Sequence, residues 1–167
     1  MPVDPSTFRA TLGRFASGIT VLTARDAAGR DVGMTVSAFS SLSLDPPLIL
    51  VCVDHAASVA PVLEHCTHFA VNVLEEEQEP LSRRFAEREV DRFDGVAYHR
   101  GLHDLALLDG ALAHLECTVH ERHPAGDHTI LVGRVEDTAV GDGYPLLYFR
   151  GGYCRLDHQL SRHGARP

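Results

Sequence analysis

Apolar residues along this chain follow two rhythms, helical spacing in short stretches and strand-like alternation through most of the rest. Asp4 is a good N-cap and Pro5 suits a first helical position, so the recurrence of Phe8, Leu12 and Phe15 before Gly18 predicts a helix with that stripe on the core. "GITVLTA" (18–24) is β-branched and apolar, "RDAAGRD" supplies a turn, and "VGMTVSAFSSLS" resumes an extended pattern, which together predict a hairpin. "PPLILVCV" (46–53) is a continuous apolar run, as in a strand buried on both faces.

Ser58 reads as the N-cap of a second helix, with Val59, Val62 and Leu63 facing inward. "HFAVNVL" (68–74) reads as a strand and "EQEPLSRRFAE" as a short helix. Residues 91–109 contain glycine and histidine with little periodicity, which predicts a long surface loop. In "GALAHLECTVHERH", Leu115, Cys117 and Val119 alternate with His114, Glu116, Thr118 and His120, the pattern of a half-exposed strand. "PAGD" turns the chain back into "HTILVGRVED", its antiparallel partner, and "PLLYFRGGY" closes the set. Six or seven such strands joined by hairpins, with short helices between, predict a mainly β, antiparallel barrel in a single domain over 1–157, followed by a polar tail at 158–167.

Composition narrows what such a barrel does. A formal charge of −8 argues against nucleic acid as a partner, since phosphate backbones demand a basic face. No apolar run approaches the roughly 20 residues that span a bilayer, and the N-terminal stretch lacks the organisation of a signal peptide, so the expectation is a cytoplasmic protein with no membrane partner. The four cysteines form no CxxC pair, and the close pairs among the eleven histidines lack a matched second half, so no metal site is expected. Neither GxGxxG nor GxxxxGK is present, and no GxSxG elbow marks a nucleophile.

Three stretches hold candidate chemistry. In "MTVSAFSSLS", Thr35 and Ser37 fit strand alternation, whereas Ser40 and Ser41 break it and suggest a bulge; these hydroxyls either face solvent or hydrogen-bond a phosphate or polar ring edge. In "EPLSRRFA", Arg83 and Arg84 either grip an anion or pair with nearby glutamates. In "AGDHTI", His128 follows a Gly-Asp turn at the mouth of a strand, where a histidine either enters a site or simply ends the strand.

Taken in order, "FRATLGRFASGITVLTA", "VGMTVSAFSSLSLDPPLILVCV", "HFAVNVL", "LSRRFA", "DRFDGV", "LECTVHERHPAGDHTILVGRV" and "PLLYFRGGY" resemble the short-chain flavin reductase family, the reductase components of two-component flavin-dependent monooxygenases. The stretch around His128 resembles in particular reductases that serve aromatic polyketide hydroxylases. The resemblance implies a Greek-key, FMN-binding split β-barrel, a homodimer, and hydride transfer from NADH or NADPH to FMN or FAD. The reduced flavin would reach a partner monooxygenase by diffusion.

By motif position, Thr35, Val36 and Ser37 would border the flavin ring, and Ser40, Ser41, Cys52 and Val53 would continue that wall. Ser58, Arg84 and Phe85 would hold the ribityl phosphate end. His128 would face the nicotinamide, with Tyr153 nearby. Val36 stands where the family pattern has a smaller residue such as alanine, which would crowd the ring. A non-catalytic FMN- or haem-binding split barrel is the alternative, and a pyridoxamine-phosphate oxidase relative would need more basic residues.

Overall fold

A computed structural model describes residues 3–88 and 91–156. The chain runs through helix α1 (Pro5–Leu12), strands β1 (Ser17–Gly18), β2 (Thr20–Arg25), β3 (Asp31–Val36), β4 (Phe39–Ser43) and β5 (Leu48–Asp54), helix α2 (Ala60–Leu63), strand β6 (His68–Val73) and helix α3 (Glu79–Ala86). Strands β7 (Tyr98–Arg100), β8 (Ala106–Leu108), β9 (Ala113–Ala125), β10 (His128–Val140), β11 (Leu147–Phe149) and β12 (Gly152–Cys154) follow. The boundary expected after residue 157 and the tail at 158–167 lie outside the described residues. Among those described, no helix is long and apolar enough to cross a membrane.

Seven strands form one antiparallel sheet in the order β3-β2-β6-β9-β10-β5-β4, and β1, β11 and β12 form a separate ribbon. The two edges of the large sheet, β3 and β4, are joined by Ser37 and Ala38 alone. Three Cα steps reach about 11 Å, whereas six strand spacings in a flat sheet would cover about 29 Å, so the sheet must curl until its edges meet. No ladder joins β3 to β4 among the described residues, which leaves the barrel split there. The mainly β, antiparallel barrel expected from the sequence is the fold that forms.

Alternation along β2 builds two layers. Leu22 and Ala24 point inward to join Val51, Phe69 and Leu131, while Val21 points outward to meet Phe85, Leu108 and Leu146. α3 covers part of that outer face through Leu81 and Phe85, four residues apart on one side of the helix. In the interior, a Cβ at Gly133 would lie 2.5 Å from Phe69 Cζ and 3.0 Å from Cys117 Cβ, both on buried residues with no room to yield. Gly133→Ala is therefore expected to lower stability by about 2–3 kcal/mol in urea unfolding. Gly18→Ala, where an added Cβ meets nothing within 4 Å, should change stability by less than about 0.5 kcal/mol.

The structure corrects the sequence reading at four elements. α1 forms as expected, with Asp4 accepting from the Ser6 and Thr7 amides at 3.0 and 3.1 Å, but its stripe is not on the core: Phe8, Leu12 and Phe15 are 54%, 57% and 82% exposed. The helix touches the rest of the chain at its C-terminal end, where Arg150 N–H donates to Gly13 O at 2.9 Å, so its apolar side is left outward. α2 is not capped by Ser58; Val59 occupies that position and makes no side-chain cap. β5 alternates between buried and half-buried residues and is not buried on both faces.

The fourth correction is the largest. Residues 91–109 are not a surface loop throughout, because β7 and β8 form a hairpin whose Leu105, Ala106, Leu107 and Leu108 are buried against the sheet. Buried polar groups dock it: Thr23 Oγ1 donates to Ala106 O at 2.7 Å, and Asn72 accepts from Leu108 N–H at 2.8 Å while donating to Val21 O at 3.0 Å. The same hairpin covers the polar side of β9. His114 Nε2–H therefore donates to Leu108 O at 2.9 Å, and both His114 and Glu116 are buried where alternation predicts half-exposed positions.

Candidate active site

β9 and β10 are joined through Gly126 and Asp127, with Gly126 at φ 67°. A left-handed residue at the first turn position suits glycine and matches the twist of the two strands, and it makes His128 the first residue of β10. His128 Nδ1–H donates to Asp127 Oδ1 at 2.7 Å, and this bond holds the Asp127 carboxyl below the usual carboxylate range. With Nδ1–H committed, the neutral imidazole presents Nε2 as a hydrogen-bond acceptor.

Directly paired residues on adjacent strands share a face. His128 pairs with Asp54, and Ile130 with Cys52, so these four look outward while Val53 and Leu131 enter the core. β4 extends the same surface through Ser40, paired with Leu50, and Ala38 O accepts from Cys52 N–H at 3.0 Å. Ser37, Ser40 and Ser41 are exposed along this edge, and the register slips between Ser41 and Ser43, where alternation in the sequence breaks.

Across the split lies a cavity of about 220 Å³ lined by Gly33, Ser58, Arg92 and Phe93 among others. The Arg92 guanidinium ties three elements together: it donates from Nη1 to Gly33 O at 2.6 Å, from Nη2 to Ser58 Oγ at 3.1 Å, and from Nε to Glu87 O at 2.7 Å. Arg84 sits behind it, donating from Nε to Arg92 O at 3.0 Å and from Nη2 to Asp91 O at 2.9 Å. Arg83 is exposed and bonds Glu79 Oε1 at 2.8 Å, the surface pairing that the sequence leaves open. A chain of hydroxyls runs from β3 through α3 to the small ribbon: Thr35 Oγ1 donates to Ser82 O at 2.6 Å, and Ser82 Oγ lies 2.8 Å from Tyr153 Oη. Among the described residues, no group of three or more His, Cys, Asp or Glu could hold a metal.

Residues 12–157 match the model of the flavin reductase like domain. The chain belongs to this family. It is 45% identical, over 89% of its length and 95% of the relative's, to the reductase component of 4-hydroxyphenylacetate 3-monooxygenase of Thermus thermophilus. It is 43% identical, over 100% of its length and 93% of the relative's, to a Streptomyces coelicolor protein named actinorhodin polyketide dimerase. Among solved structures, the Streptomyces globisporus NADH:FAD oxidoreductase in complex with NAD and FAD fragments superposes with a TM-score of 0.88, at 37% identity over 95% of this chain and 98% of that one.

Against the flavin reductase motifs, the structure sorts the residues by the direction each side chain takes. His128, Cys52, Ser40 and the Ser37–Ala38 link lie on or beside one outer face, Ser41 pairs with core-facing Ile49 and so takes the opposite side of β4, and Ser58 lies across the split with Arg92. Val36 and Val53 do not face that surface, because alternation sends both side chains into the barrel core; the expected crowding of a ring by Val36 therefore has no basis, and only its backbone is available outside. Phe85 is wholly buried beneath Gly33, so its ring cannot reach a ligand. Thr35 spends its hydroxyl proton on α3, and Tyr153 bonds Ser82 on that helix, in a contact network separate from His128.

Arg92 was missed by sequence reasoning, although "DRFDGV" supplied the motif. Its significance depends on Ser58, which is 34 residues away in the chain. A cation between Asp91 and Asp94 reads as a surface group until the fold half-buries it.

Proposed function

We propose that the outer face of β5 and β10 brings a flavin and a reduced nicotinamide together, and that the chain releases the reduced flavin to a separate monooxygenase. The chain is an NAD(P)H:flavin oxidoreductase with FMN or FAD as the flavin it reduces. Relatives that are reductase components of monooxygenases support such a partner. Identity to a protein named for a polyketide supports a partner that acts on aromatic polyketides. Two rings stacked at about 3–3.5 Å pass a hydride directly, so the protein's task is orientation and no general base is needed.

The observation behind this reading is the held imidazole of His128. Its Asp127 bond fixes the ring, and the free Nε2 accepts an N–H such as that of a nicotinamide carboxamide. Nearby, the exposed Ser37–Ser41 edge offers hydroxyls and backbone groups for the polar edge of a flavin without adding charge. This surface is open, as suits a flavin that must leave after reduction. The outward stripe of Phe8, Leu12 and Phe15 on α1 supports a homodimer, in which a second copy covers that stripe.

Anaerobic mixing of the purified protein with equal amounts of NADH and FMN tests the reading. The flavin should bleach as the nicotinamide is oxidised, and the reduced flavin should then pass a membrane that retains the protein. Flavin that stays bound and yellow in the presence of NADH or NADPH would instead favour the non-catalytic binding protein.

A further inference from the structure

The turn that presents His128 is held from a third strand as well as by its own hairpin. Past the end of β5, His55 N–H donates to Asp127 O at 3.0 Å, one step beyond the pairing of Asp54 with His128. The His55 ring reaches the other neighbour of His128: its Nε2 lies 2.9 Å from Thr129 Oγ1, a hydrogen bond in either direction. One residue therefore holds Asp127 through its main chain and Thr129 through its side chain, and these are the two positions that flank His128. His55 is itself fixed from the far side. Asp54 Oδ1 accepts the Ala56 amide at 2.8 Å and Asp54 O accepts the Ala57 amide at 2.9 Å, so His55 sits in a tight turn.

Strand parity puts this clamp behind the proposed site. Thr129 pairs with core-facing Val53, so its hydroxyl lies on the opposite side of the sheet from His128, and the His55 ring that meets it lies there too. Both line a small pocket with Leu63 of α2 and with Leu131. From that side the His55 ring has no access to anything bound on the outer face of β10.

We infer that His55 is a positioning residue for nicotinamide oxidation, acting through His128. The inference rests on the role read above for His128 and extends it to a residue that no motif singles out. The bond from His128 Nδ1 to Asp127 sets how the imidazole is rotated on its own backbone. Where that backbone lies is set by residues 127 and 129, which His55 holds. A displacement of about 1 Å in a group that aligns a hydride donor is felt in the rate, because the reacting atoms must meet at about 3–3.5 Å.

With flavin saturating, His55→Ala and Thr129→Val should each lower kcat/KM for the reduced nicotinamide about 3- to 10-fold, while the Kd for flavin changes less than about twofold. His55→Gln, whose amide extends to the place of Nε2, and Thr129→Ser, which keeps the hydroxyl, should recover most of the loss. The double variant His55→Ala/Thr129→Val should be no worse than either single one, because both remove the same bond. In a His128→Ala background, His55→Ala should lower kcat/KM further by less than about twofold, because the group it positions is gone.

An undiminished His55→Ala loss in the His128→Ala background, or equal losses of nicotinamide turnover and flavin affinity in His55→Ala, would overturn the assignment. Should His128→Ala itself leave the nicotinamide kinetics unchanged, the reading of His128 fails, and NMR of the His128 ring nitrogens still tests the clamp. Those signals, identified by their loss in His128→Ala, should report a proton on Nδ1 in the wild type and shift toward the average of the two tautomers in His55→Ala. Ring-nitrogen signals that are the same in wild type and His55→Ala overturn the assignment.

Discussion

His128→Ala should lower kcat/KM for the reduced nicotinamide about 10- to 100-fold, while the Kd for flavin changes less than about twofold. The asymmetry follows from the geometry. The imidazole is held by Asp127 at the end of β10, and its free Nε2 faces away from that bond. On the proposed role, a group in this position orients the hydride donor and contributes little to holding the acceptor. His128→Gln, whose amide oxygen also accepts a hydrogen bond, should recover part of the lost activity. Equal loss of nicotinamide and flavin affinity would mean instead that the alanine substitution damages the hairpin. Steady-state kinetics with each nicotinamide, alongside flavin fluorescence titration, separates these outcomes.

The second large effect concerns the fold. Asn72→Ala should destabilise the protein by about 3 kcal/mol, because it strands the buried Leu108 N–H and removes a donor from Val21 O. Both neighbours are wholly buried, so water cannot replace the lost amide. Urea unfolding measures the change, and hydrogen exchange at the Leu108 amide should quicken as the β7–β8 hairpin loosens. Asn72 is bonded away from the His128 surface, so turnover per folded molecule should persist in the variant.

That hairpin also shows where the sequence stops being informative. Its strands are three residues each, too short for alternation to register, and Thr23 and Asn72, distant in the chain, anchor it together with His114. A polar position such as His114 or Glu116 looks solvent-facing until a second layer is known to cover it. The barrel itself was legible because β2, β9 and β10 have long β-branched or alternating runs punctuated by Gly-Asp and Gly-Arg turns. The α1 helix was legible from Asp4 and Pro5, but its environment was not, since periodicity names an apolar side without saying what meets it.

The site divided in the same way. His128 was legible because a turn fixes its place locally, and the break at Ser40 and Ser41 marked a real slip in register. The motifs point to Arg84 and not to Arg92, because which arginine ties β3 to Ser58 depends on tertiary hydrogen bonds. Thr35, whose alternation leaves it facing either solvent or a ligand, instead donates to α3. Val36, suspected of crowding a ring, is a core residue, because strand parity places alternate side chains on opposite faces.

This chain carries hydride from a reduced nicotinamide to a flavin in solution. Purified protein should oxidise NADH or NADPH rapidly only when FMN or FAD is added, at a rate that saturates with flavin concentration. Nicotinamide oxidation indifferent to added flavin, or none with either flavin and either nicotinamide, would contradict it.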